Sequence, residues 1–146
     1  LEFRRVLFRS SDQLSAISLQ MMRDRKPMRD FRKLKVWGKS HELTLAIYKT
    51  TACFPNQELF GLTSQMRRAA ASISANIAEG CGRGGEPELA RFLRIAFGSA
   101  SELEYHIILS TDLRYLNTST SQHLAKQVIE IKRMLTSLIQ KLMADS

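Results

Sequence analysis

The sequence predicts an all-α chain folded as an antiparallel up-down four-helix bundle. Four long stretches repeat apolar residues at alternating spacings of three and four, the period of a helix with one buried face. No stretch carries a strand signal. Short segments containing Pro, Gly or Asn separate the four, so successive helices are expected to pack side by side.

The first bundle helix is predicted over residues 34–53, with Val36, Ser40, Leu43, Ile47, Thr50 and Phe54 as its stripe. Trp37 and Tyr48 extend that face. Gly38 weakens a helix by about 1 kcal/mol relative to Ala, which a close helix–helix contact would offset. Phe54-Pro55-Asn56 ends the helix, because Pro cannot continue it.

The second is predicted over 63–79, capped by Thr63, with Leu62, Met66, Ala69, Ala70, Ile73 and Ile77 buried. Ala71, Ser72, Ser74, Ala75 and Ala78 keep its flanks thin, which places it centrally. Gly80 and Gly82 are expected to terminate it. Near its end, Asn76 and Glu79 are expected to tie the bundle together by hydrogen bonds.

The third helix starts near Pro87, a first-turn position Pro favours, and runs to about 113. Its stripe is Leu89, Phe92, Leu93, Ala96, Ala100, Leu103 and Ile107. The fourth, over 119–143, starts at a capping-box spacing of Ser119 with Gln122 and buries Leu124, Val128, Ile131, Leu135, Leu138 and Leu142. Ile129, Thr136, Ile139 and Met143 form a second stripe. That stripe is either a wide core face or an oligomer interface.

The 146 residues carry a net charge of +8, which invites a nucleic-acid reading. Residues 1–35 hold ten Lys/Arg and four Asp/Glu; the remainder holds twelve and ten. Residues 1–29 read as a disordered basic arm that is at least partly non-native. The opening LEFRRVLFRS resembles a translated cloning scar, and Met28 is the favoured natural start. Pro27 would interrupt any helix in the arm. The bundle domain is assigned to 30–146. No apolar run approaches the roughly 20 residues of a membrane span, and Cys53 and Cys81 form neither a disulfide framework nor a metal motif. They read as two semi-buried thiols of a reducing cytoplasm.

No catalytic residues, metal site or cofactor are expected. The run Gly80-Cys81-Gly82-Arg83-Gly84-Gly85 lacks the preceding strand of a dinucleotide fingerprint and the Lys-Ser/Thr of a P-loop. His41, His106 and His123 lie on three different helices without a second ligand at metal spacing. No Ser or Cys has an evident base. What remains is Arg67, Arg68, Arg83, Arg91 and Arg94, all from the second and third helices and their loop. Arg binds two phosphate oxygens at once through its planar fork. These five are therefore the candidate nucleic-acid-binding residues; the competing reading is a solvated face paired with Glu79 or Glu86.

Several segments resemble a known family. They are Asp30-Phe31 through Val36-Trp37, His41-Glu42-Leu43, FGLTSQMRRAA from Phe60, SISANIAEG from Ser72, Arg91-Phe92-Leu93 and Gly98-Ser99. The chain is similar, over about 30–142, to the four-helix bundle proteins first noted as reading frames in intervening sequences of bacterial 23S rRNA genes. The accessory variability proteins of diversity-generating retroelements share that fold. The resemblance implies a ring-like homo-oligomer, a pentameric barrel of bundles, and no catalysis. For retroelement members it implies nucleic-acid binding and association with a reverse transcriptase; for the rRNA-intervening members it implies no particular function. A reverse transcriptase or a ribosomal factor is the expected kind of protein partner. The expected function is an oligomeric accessory protein that binds structured RNA or DNA. A protein-interaction scaffold without nucleic-acid contact is the alternative.

Overall fold

A computed structural model describes residues 2–23 and 28–145. Among them are five α-helices, two short 3-10 segments and no strand: α1 (Glu2–Arg23), α2 (Lys35–Thr51), α3 (Leu62–Gly82), α4 (Glu86–Asp112) and α5 (Thr118–Ala144). The 3-10 turns, Phe31–Lys33 and Asn56–Glu58, precede α2 and α3. No helix among the described residues is long and apolar enough to cross a membrane.

Residues 2–23, read from sequence as a disordered arm, form α1, and among the described residues α1 packs on no other element. Pro27, expected to interrupt a helix there, lies outside the described residues.

Helices α2 to α5 pack in a closed cycle: α2 on α3, α3 on α4, α4 on α5, and α5 back on α2. The register is visible in single contacts. Thr44 of α2 donates to the Ala70 carbonyl at 3.1 Å. The Ser72 and Ser99 hydroxyls bond at 2.9 Å across α3 and α4. Thr111 and Ser121 hydroxyls meet at 2.6 Å, and Lys132 bonds Glu104 at 2.8 Å, across α4 and α5. Lys39 pairs with Glu130 at 3.2 Å across α2 and α5.

The core follows the apolar period. Met66, Ile73 and Ile77 of α3, Leu93 and Leu103 of α4, and Leu135 and Val128 of α5 are fully enclosed with Leu43 and Ile47 of α2. Burial of this kind is the main driving force of the fold. The expected stripes differ from the structure in three places. Thr51 is buried instead of Thr50, Tyr48 stands half exposed, and Leu138 is only partly covered. Of the second stripe on α5, Ile129 and Met143 are exposed while Ile139 packs against the core.

The helix ends also differ. Thr63 does not cap α3; it is buried inside the helix. The free N–H of Leu62 is taken by the Glu58 carboxylate at 2.9 Å, which meets the same demand of an open helix start. At α5 the cap is Asn117, whose side chain accepts from the Thr120 N–H at 2.8 Å, not Ser119. Gly80 and Gly82 lie within α3. The turn itself falls at Gly84, whose φ of +76° is the left-handed conformation that glycine adopts without strain.

Gly38 does not sit at a close contact between helices, contrary to expectation: a Cβ built there meets nothing within 4 Å. Among the described residues nothing offsets its helical cost. Gly38→Ala is expected to stabilise the protein by about 0.5–1 kcal/mol, read as a higher urea midpoint at unchanged slope. A lower midpoint would mean that something outside the bundle occupies that space.

Candidate nucleic-acid interface

The five predicted arginines do not form one cluster. Arg67 and Arg68 stand near the start of α3 and Arg83 just past its end, sixteen residues on, or roughly 24 Å at 1.5 Å per residue. Arg67 is turned inward to α2. Its Nε donates to Thr51 Oγ1 at 3.0 Å, and its guanidinium lies 4.7 Å from the Tyr48 ring centroid. Those contacts hold α3 to α2. Arg68 is exposed and donates to its neighbour Gln65 at 2.8 Å.

Arg83, Arg91 and Arg94 do come together, where α3 ends and α4 begins. Arg83 and Arg91 both lie over the Phe92 ring, 5.2 and 4.5 Å from its centroid, an arrangement that favours cations. The ring is buried, 6% exposed, so it fixes both guanidinium groups from beneath. Arg83 also pairs with Glu79 at 2.7 Å, and Arg91 with Glu88 at 3.3 Å. All four of these charged side chains are about half exposed. Exposed pairs of this kind contribute little, so a phosphate can replace the carboxylate at small cost. Arg94 donates to Met143 Sδ at 3.4 Å and, among the described residues, pairs with no carboxylate.

Sequence reasoning missed the rest of this end. Arg29 pairs with Glu86 at 3.4 Å, which ties the segment before α2 to the start of α4. The 3-10 turn carrying Arg32 and Lys33 packs on α3. Arg32 lies over Phe31 and pairs with Asp30 at 3.5 Å. Arg29, Arg32 and Lys33 thus join Arg83, Arg91 and Arg94 at one end of the molecule. In sequence these groups are some fifty residues apart, and only the helix register brings them together.

Chemistry of other kinds finds less support. Among the described residues no three of His, Cys, Asp and Glu stand close enough to hold a metal ion. Cys53 is exposed, where a semi-buried thiol was expected, and Cys81 is buried. Burial raises the Cys81 thiol above its usual range, with nearby Arg29 opposing, so it stays protonated and weakly nucleophilic. Asn76 and Glu79 divide in role. Asn76 donates to Ser72, whose hydroxyl reaches Ser99, while Glu79 pairs with Arg83 just past the end of its helix.

A profile of the family described as 23S rRNA-intervening sequence protein matches residues 32–137. A crystal structure from Bacteroides thetaiotaomicron, described as a protein of unknown function from the S23 ribosomal protein family, is 29% identical. The match covers 71% of this chain and 97% of that one, with a TM-score of 0.65. No curated protein matches.

Proposed function

The chain belongs to the 23S rRNA-intervening sequence protein family, and from that premise we propose that it is a non-catalytic accessory protein that binds structured nucleic acid. The cross-helix contacts support reading α2–α5 as an antiparallel up-down bundle, and copies of it assemble into a ring. The observation that carries the proposal is the basic end formed by Arg29, Arg32 and Lys33 with Arg83, Arg91 and Arg94. Two of these guanidinium groups are pre-aimed by one buried ring, which lowers the ordering cost of a phosphate contact.

Binding of a labelled hairpin RNA, followed by fluorescence anisotropy against salt, tests this. The combined Arg83→Ala, Arg91→Ala and Arg94→Ala variant is expected to bind more weakly. Its slope of log K against log salt should be shallower by about 2 to 3, since each lost phosphate contact removes roughly 0.7–0.9. Arg67→Ala should leave the slope unchanged, because that side chain is committed to Thr51 and Tyr48. No salt-dependent binding by the unaltered protein would overturn the proposal, and equal slopes for the triple variant would move the interface elsewhere.

A further inference from the structure

Two outer faces of the bundle carry apolar side chains flanked by charges of opposite sign. One is a groove of about 450 Å³ between the start of α2 and the last turns of α5. Leu34, Val36, Met134 and Leu138 contribute its apolar lining, and Lys35, Arg133 and Lys141 stand around it. Among the described residues, no carboxylate lines the groove and none of the three cations is ion-paired. The other face is the outer ridge of α4. From Gly98 to Leu113 the chain has three acids and no Lys or Arg. One acid, Glu104, is taken by Lys132. Glu102 lies 4.0 Å from His106 Nε2 of the same helix, a contact that is charged only when the imidazole is protonated; it and Asp112 are exposed, and between them Tyr105 and Ile108 are 59% and 54% exposed. Gly98 begins the ridge, and a Cβ there would meet nothing within 4 Å. Glycine in mid-helix weakens it; open space on its outer side lets another backbone come near.

The geometry points to the α4 ridge of one copy docking in the α2–α5 groove of the next. Tyr105 and Ile108 cover the apolar lining, and Glu102 and Asp112 meet Arg133 and Lys141. The spans agree: ten residues between the two acids and eight between the two cations, roughly 15 and 12 Å at 1.5 Å per residue. Because groove and ridge are different faces, the contact is head-to-tail. Such contacts close into rings or run into filaments. This rests on the assembly part of the proposed function and names the surfaces it uses.

Mass in solution by light scattering on the full chain tests the pairing. The Arg133→Glu, Lys141→Glu variant and the Glu102→Lys, Asp112→Lys variant should each fall to the single-chain mass of 16.6 kDa, with helical circular dichroism retained. All four substitutions in one chain exchange the two charges and should restore the assembled mass. An assembled protein whose mass neither double variant changes overturns the docking pair and leaves assembly standing. The pair is also overturned if the fourfold variant stays a single chain. An unaltered protein at 16.6 kDa overturns the pairing and assembly together.

Discussion

Ile73→Ala is expected to cost about 3–5 kcal/mol, the upper part of the range for a core substitution that leaves a cavity. Ile73 is fully enclosed at the middle of α3. Its own helix offers Ala69, Ala70 and Ile77 beside it, and the Ser72–Ser99 contact sets Ala96 and Ala100 of α4 in the facing register. Alanines have no side-chain rotamers with which to fill a void, so the site cannot collapse around the missing atoms. Against a domain stability of about 5–15 kcal/mol, such a loss is a large fraction of the whole. Leu142→Ala, near the end of α5 and 3% exposed, should cost less because fraying ends relax. Urea titrations of both variants at unchanged slope provide the comparison. A cost under about 1 kcal/mol for Ile73→Ala would show that α3 is not closely packed.

The same packing explains what could be read from sequence. Helix period follows from local geometry, so the four stripes and the buried positions of α3 and α4 were legible residue by residue. Caps were less so. Thr63 and Ser119 have the right chemistry at a plausible place, yet the loop conformations deliver Glu58 and Asn117 to those N–H groups instead. Tyr48 has the apolar character of a core residue but sits at the margin of its stripe, where α3 presents Arg67. The basic end was half legible. Arg83, Arg91 and Arg94 are close in sequence and close in space. Arg29, Arg32 and Lys33 were assigned to an arm or its edge, because nothing local says that the turn before α2 returns to the α3–α4 corner. Glycine was the hardest residue to read. Gly38 suggested a close approach that is absent, and Gly80 suggested a helix end where there is a close approach.

Gly80→Val is therefore expected to destabilise the protein by about 1–3 kcal/mol or more, as overpacking does. A Cβ at Gly80 would stand 2.8 Å from Phe92 Cβ and 3.0 Å from Leu89 Cδ1, with the Leu89 carbonyl at 3.4 Å. The Phe92 atom is bound directly to its backbone, so relief requires α4 to move away from α3. Alanine at the same place brings that same Cβ and should also destabilise, although up to about 1 kcal/mol of regained helix propensity offsets part of the cost; valine's two further carbons add to it. The identical change of Gly to Ala should thus stabilise at Gly38 and fail to stabilise at Gly80. The proposed binding surface is tied to the same contact, since Phe92 is the platform under Arg83 and Arg91. Moving α4 displaces that ring, so Gly80→Val should also weaken hairpin RNA binding at temperatures where the variant remains folded. Equal stability of Gly80→Val and the unaltered protein would show that the α3–α4 spacing adjusts without cost. The small residues of α3 would then need another explanation than close packing.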